Sequence, residues 1–315
     1  MMSTTRNAIR SRPVLSYFVL TLGYSWVIWA PMLILPGPGD IGPGEADTII
    51  WVGVFLMYLG GFGPLVAAAI IVKFGGGDLR TWASQIVKWR VSLRWWLATL
   101  GLPIVAVAGV SALYITFGGP YDFGALTVPI LSYLPLLLFT LIFSGGLNEE
   151  PGWRGLAQPL LQERYSAVTS SLVVGVVFAF WHLPLFFAPV APHSDYPLIN
   201  TLLYFPTVVV WSVILGWLYN NSASVLLAMF FHAGLNASAG LIPFDPDAII
   251  IDDVIQEEYV ELIAGLNFGV YLLIGLVIIA LYGRKQLARG DIPTGEVAGF
   301  NPQANPVQEA TINDK

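Results

Sequence analysis

Few residues in this chain could carry proton-transfer or metal chemistry. There are three histidines, His182, His193 and His232, and no cysteine, so thiolate nucleophiles, Fe–S clusters and Cys-based zinc sites are excluded. Three short patterns hold most of what remains. Glu149-Glu150-Pro151-Gly152-Trp153-Arg154 follows Ser144-Gly145-Gly146; Phe178 precedes His182 by four residues, and His232 precedes Asn236 by four. Adjacent residues on a helix point about 100° apart, so Glu149 and Glu150 cannot serve one site equally. Glu150 and Arg154 share a face, acid before base, the favourable order for an ion pair. Glu149 is left available. His232 and Asn236 also share a face and can both donate to one oxygen. Phe178 can wall the pocket that His182 enters, although ordinary packing accounts for the larger share of its role. An acid and an imidazole beside a buried water can hydrolyse an amide while donors stabilise the tetrahedral oxyanion. The same His, His and Glu set is also a common zinc set, and no H-E-x-x-H is present to decide between them.

The elements that must position these residues are membrane helices. The chain has 315 residues, 56% hydrophobic and only 11% charged, with mean hydropathy +0.71; a soluble domain carries about 25% charged residues. Apolar runs long enough to span lie at about 14–35, 49–72, 95–117, 128–147, 168–188, 199–219, 222–243 and 262–282. An all-α, polytopic membrane protein with about eight transmembrane helices is expected. The seventh run is the weakest, diluted by His232, Gly234, Asn236 and Gly240. With the N-terminus in the cytoplasm, all fourteen basic residues fall on the cytoplasmic side. The outer loops then hold only acids: Asp40, Glu45, Asp47, Asp122, Asp195 and the run from Asp245 to Glu261. This segregation predicts an even number of spans with both termini cytoplasmic. Ionisable groups at membrane depth are costly and mark function by default, which singles out His182 and His232; His193 falls in an outer loop.

Residues 1–127 form three N-terminal spans with an interfacial segment, 128–243 a four-helix core, 244–283 an acidic outer loop and last span, and 284–315 a cytoplasmic tail. Within Leu79–Arg90 a basic helix would set Trp82, Ile86 and Trp89 on one side, suited to the membrane interface, although a plain polar connector fits as well. Gly290 to Lys315 has almost no apolar content and is expected to be disordered. The glycine pair before Pro151 predicts a break, with a new helix starting near Asn148 or Glu149; such breaks usually line a water-filled cavity. The net charge of −6 argues against a nucleic-acid partner.

Glu-Glu-x-x-x-Arg, then Phe-x-x-x-His, then His-x-x-x-Asn on successive hydrophobic segments resembles the CPBP family of intramembrane proteases, named for CAAX-protein and bacteriocin processing and also called Abi. The resemblance spans about residues 128–243. It implies an endopeptidase with Glu149 as general base on water assisted by His182, an oxyanion hole from His232 and Asn236, and Glu150, Arg154 and Phe178 in support. The family is commonly classed as metallopeptidase, which would make Glu149, His182 and His232 zinc ligands. Metal-free water activation is preferred here, because His232 lies roughly 15 Å into its span and a water bridge tolerates a looser arrangement than a metal. The expected partners are membrane lipid and a peptide, peptide-precursor or prenylated CAAX-like protein substrate, in what resembles a prokaryotic plasma membrane. The alternatives are a non-catalytic scaffold or immunity protein, which would be expected to lose the acid or a His, and a small-solute transporter, which would show two matching broken helices.

The absence of native cysteine makes the topology directly testable. Single cysteines at Asp122, His193 and Asp252 should react with a membrane-impermeant thiol reagent outside intact cells, and those at Arg6, Lys88 and Asn221 should not. Labelling at Asn221 would break the segregation of charge and remove the hairpin that carries His232.

Overall fold

The computed structural model of the chain describes residues 2–37, 46–245, 250–251 and 254–300. Asp40, Glu45, Asp247, Asp252, Asp253 and the tail beyond Phe300 lie outside the described residues. Seven helices are long and apolar enough to cross a membrane: Pro13–Ile34, Asp47–Gly75, Leu93–Thr116, Phe123–Phe143, Ala167–Phe187, Leu198–Ser222 and Glu257–Tyr282. The protein is an all-α, multi-pass membrane protein. An eighth apolar helix, Val225–Leu241, is shorter than the others, which corrects the expectation of eight full spans. Its residues are mostly buried, so it faces protein on nearly every side and needs neither the length nor the apolar exterior of a lipid-facing helix. The Phe123–Phe143 helix is the opposite case, with only 11% of its apolar window buried.

In chain order the helices are α1 (Met2–Ser11), α2 (Pro13–Trp29), α3 (Ala46–Gly61), α4 (Gly63–Gly75), α5 (Leu79–Ser84), α6 (Leu93–Thr116), α7 (Thr127–Phe143), α8 (Glu150–Gly152), α9 (Gln158–Gln162), α10 (Ala167–Trp181), α11 (Leu198–Ser222), α12 (Val225–Ser238) and α13 (Glu257–Tyr282). A two-residue hairpin, Ile250–Ile251 with Val254–Ile255, precedes α13. Two buried clusters hold the bundle together. One gathers Tyr17, Trp29, Ile71, Trp153, Phe178 and Trp181; the other gathers Ala106, Leu215, Leu218, Phe231, Leu235 and Tyr271.

The second long span is interrupted where α3 gives way to α4, a break the apolar run did not reveal. Pro64 sits in the first turn of α4 and Phe62 between the two helices. Small residues there let α2 approach closely: Ser25 Oγ donates to Gly60 O at 2.7 Å, and a Cβ at Gly63 would collide with that same hydroxyl.

The interfacial helix is shorter than its sequence suggested. Helix α5 ends at Ser84, Trp82 is buried, and Trp89 is 61% exposed, so Trp82 and Trp89 do not share a helical face. Trp82 turns inward because its indole N–H finds the Pro151 carbonyl at 3.1 Å.

The segment from Arg284 to Phe300 corrects the expectation of disorder from Gly290 onward. It is a strap held by polar side chains together with a few apolar anchors, Leu287, Ile292 and Phe300, too sparse for composition to reveal. Asn220 Nδ2 donates to Gln286 O and Asn221 Nδ2 to Leu287 O, both at 2.8 Å. Gln162 Nε2 donates to Pro293 O at 2.8 Å, and Gln85 Nε2 to Val297 O at 2.8 Å. Phe300 packs near Ile9 and Gly75. The strap thus gathers α1, α5, α9 and the end of α11 at one end of the bundle.

Leaving a buried acceptor unpaired costs about 1–3 kcal/mol. Gln162→Leu should therefore lower stability by about that amount, since the Pro293 carbonyl loses its side-chain donor and Asn220 Nδ2 one of its two acceptors. Thermal unfolding in detergent reads the change; a melting curve that matches the parent would show that the strap is not held this way.

Candidate active site

The site is built on two interrupted spans that face each other. Helix α7 ends at Phe143, and Gly145 takes φ +109°, a conformation open to glycine and strained for other residues. The chain then doubles back, with the amides of Gly146 and Leu147 donating to the carbonyls of Thr140 and Leu141 at 3.2 and 2.7 Å. Asn148 closes the turn: its Oδ1 accepts from Gly145 N at 2.9 Å, and its Nδ2 donates to Gly61 O at 3.1 Å and to Glu149 Oε1 at 3.2 Å. Its own carbonyl accepts from Leu65 N at 3.2 Å. Gly61 O and Leu65 N flank the α3/α4 break, so one residue pairs polar backbone beside both interruptions.

Pro151 sits in the first turn of α8, where its missing N–H costs nothing. A π turn over Trp153–Ala157 carries Arg154 inward. Gly152 has no room for a Cβ, which would meet the Tyr17 hydroxyl and the Pro64 carbonyl.

The charged centre of the site is Glu150. Its Oε1 accepts from Arg154 Nη1 at 3.1 Å and from His232 Nδ1 at 2.7 Å, with the three side chains only 0–4% exposed. Arg154 Nη2 donates to Ser212 Oγ at 2.9 Å, and Ser212 Oγ donates on to Ser171 O at 2.8 Å. The i,i+4 ion pair is where the spacing put it. The link to His232 is new: Glu150 reaches into the site instead of only bracing Arg154.

Glu149 points elsewhere. It is 5% exposed; one oxygen takes the Asn148 amide, and Oε2 has no hydrogen-bond partner among the described residues. Glu149 lies in the connection between long helices, where burial pushes its carboxyl up to about 7, against the lowering effect of nearby His232.

His182 Nδ1 lies 3.0 Å from Phe178 O; a carbonyl only accepts, so Nδ1 carries the proton and Nε2 keeps a lone pair when the ring is neutral. Phe178 stands between the two imidazoles, its ring centroid 4.9 Å from His182 and 5.7 Å from His232. Tyr204 stands 5.4 Å from His182, and His193 5.9 Å from it. His193, read from sequence as an outer-loop residue, therefore belongs to the wall of the site. Glu149 and His182 share no direct hydrogen bond.

Asn236 Nδ2 donates to Ser144 O at 2.8 Å and has a second hydrogen left. A Cβ built on Gly145 would lie 2.7 Å from Asn236 Nδ2 and 2.8 Å from His232 Nε2. The two nitrogens therefore converge on one small volume, kept open because residue 145 has no side chain.

Residues 130–238 match the family described as Type II CAAX prenyl endopeptidase Rce1-like. The chain is also 33% identical over 150 residues to CAAX prenyl protease 2 of Methanococcus maripaludis, a match that takes in 46% of this chain and 52% of that protein. The chain thus spans about half the length of the curated relative it matches. The three motifs all lie within the matched residues. Over those residues the chain is similar to CAAX prenyl endopeptidases.

Tyr204 was not singled out from sequence, Asn148 was named only as a helix start, Gly145 only as part of a break, and His193 only as an outer-loop residue. Asn148 stands beside the glutamate pair, a signal that could have been used; Tyr204 and His193 have no spacing relation to the motifs. Among the described residues no three His, Asp or Glu side chains form a group that could hold a metal ion, and His232 Nδ1 is already committed to Glu150.

Removing one partner of a buried pair costs about 3–5 kcal/mol, because the other charge stays buried. Arg154→Met should be destabilised to that extent, and Arg154→Lys by less, since it keeps the charge while losing the Ser212 contact. Denaturant or thermal unfolding checks both; parent-like stability of Arg154→Met would contradict the reading.

Proposed function

We propose that this chain is an intramembrane endopeptidase that hydrolyses a peptide bond in a membrane-associated substrate, of the prenylated CAAX type that the archaeal relative's name indicates or a precursor peptide. The observation that carries the proposal is the pairing of a buried carboxylate oxygen without a partner, on Glu149, with two donors, His232 Nε2 and Asn236 Nδ2, that converge beside Gly145.

In the proposed reaction Glu149 takes a proton from water as the water oxygen bonds to the carbonyl carbon. His182, through its Nε2 lone pair, orients that water. Negative charge develops on the carbonyl oxygen, and His232 and Asn236 donate to it. With Nδ1 on the Glu150 carboxylate, His232 has a proton to donate from Nε2 only as imidazolium, while Arg154 is the ion-pair partner of Glu150. Glu149 then returns its proton to the amide nitrogen, the C–N bond breaks, and acid and amine leave. In the proposed topology the basic end of the bundle lies in the cytoplasm.

Glu149→Gln should abolish cleavage of a CAAX-type reporter in membranes, and Asn236→Ala should lower turnover by about 100- to 1000-fold. A base must be ionised to act, and burial raises Glu149 to about 7, so kcat/KM should be full above that pH and decline as pH falls through it. Chelators should leave the activity intact. Stoichiometric zinc in active protein, lost together with activity in Glu149→Gln, His182→Ala and His232→Ala, would replace this mechanism with a metal-assisted one.

A further inference from the structure

Gln85 lies just beyond α5, 5% exposed, and belongs to none of the motifs. Its side chain and backbone nonetheless touch four separate parts of the chain. Nε2 donates to Val297 O at 2.8 Å and reaches the carbonyls of Gly155 and Trp82 at 3.3 Å. Oε1 accepts from the Tyr219 hydroxyl at 2.6 Å. Its backbone carbonyl accepts from Val225 N at 3.1 Å and Leu226 N at 3.4 Å.

Two of these contacts answer specific needs. Gly155 sits inside the π turn, where the regular i→i+4 ladder is interrupted. Val225 and Leu226 open α12, where the first amides have no partner within the helix. A single residue therefore satisfies the segment bearing Glu150 and Arg154 and the helix bearing His232 and Asn236. Ser224 strengthens the same joint, capping Leu227 N at 3.3 Å while donating to Lys88 O at 2.6 Å. The distance that the joint governs is the 2.7 Å contact between Glu150 Oε1 and His232 Nδ1, which a small slide of α12 along its axis would break.

We propose that Gln85 is a positioning residue for the reaction, fixing the register of the Glu150 segment against α12 and so the aim of the His232 and Asn236 donors. The kinetic part rests on the endopeptidase reading; the positional part does not. Misplacement by about 1 Å can cost about 100-fold in rate.

The test uses the full chain in lipid nanodiscs with two variants. Gln85→Met keeps length and loses the donor and acceptor; Tyr219→Phe keeps its ring and removes only the hydroxyl on Gln85 Oε1. Two quantities are measured: kcat and KM on a CAAX-type reporter, and the proton resonance of the His232 Nδ1–H bonded to Glu150, assigned by its loss in His232→Asn among only three histidines. Gln85→Met should lower kcat by about 10- to 100-fold with KM nearly unchanged and shift or broaden that resonance. Tyr219→Phe should act in the same direction and less strongly. Gln162→Leu, which loosens the strap without touching Gln85, should leave the resonance in place. Parent kcat and an unmoved resonance in folded Gln85→Met overturn the proposal, and so does the same result in Tyr219→Phe if Gln85→Met does not fold. If the parent chain cleaves no peptide, the endopeptidase reading falls by itself and the His232 resonance alone decides on Gln85.

Discussion

The rest of the structure depends on one buried carboxylate held between an arginine and a histidine. Glu150 is fully buried and accepts from Arg154 and His232 through the same oxygen. An ionised carboxylate taken into a low-dielectric interior loses several kcal/mol of hydration, which only good geometry and further hydrogen bonds restore. That requirement fixes three elements. The π turn brings Arg154 to the correct side, α11 supplies Ser212 for the guanidinium, and α12 must come near enough for His232. A buried ion cluster of this kind is weak evidence for stability. It is better understood as what specifies one arrangement of α8, α11 and α12 over its neighbours.

The same logic explains why the spans are broken where they are. A continuous α7 would carry Glu149 along a straight rod to the end of the bundle. The turn at Gly145 and Gly146 ends α7 beside His232 and Asn236, and a new helix starts at the depth of those donors. Interrupting two spans exposes backbone that lipid cannot satisfy. Asn148 meets part of that demand by pairing with Gly145, Gly61 and Leu65 at once, so the two breaks are mutually dependent. The spans around them can then remain ordinary apolar helices, with the lipid-facing α7 as the plainest example.

The local part of this arrangement was legible in the sequence. Composition and apolar run length gave an all-helical membrane bundle, and four-residue spacing gave the Glu150–Arg154 pair and the shared face of His232 and Asn236. What stayed hidden is long-range and polar. The Glu150–His232 contact joins residues 82 positions apart, and Gln85 joins Gly155 across 70; no periodicity encodes either. The strap was misread because it adheres through Gln and Asn amides to backbone carbonyls, which add no hydrophobic signal, and through apolar anchors too sparse to show in composition. The α3/α4 break was hidden for the opposite reason: Gly61, Phe62 and Gly63 leave the apolar run uninterrupted. His193 was set aside because loop position was taken to mean distance from the site, whereas the Pro192–Asp195 turn folds the imidazole back toward His182 and Tyr204.

The count of charges in the site gives a reason for two adjacent glutamates. Under the proposed reaction Arg154 and Glu150 offset each other, and the His232 imidazolium offsets Glu149. As Glu149 takes the proton from water, its negative charge disappears and reappears on the carbonyl oxygen beside His232 and Asn236. The net charge of the buried site does not change; one negative charge moves toward fixed donors. In a medium where unbalanced charge is expensive, that is a small change compared with creating an ion pair afresh. It also requires that Glu149 and Glu150 point to different places, one to the water and one to the imidazole. Adjacent positions, Glu149 at the N-cap and Glu150 in the first turn of α8, supply that separation, which a pair spaced by four residues, lying on one face, would lack.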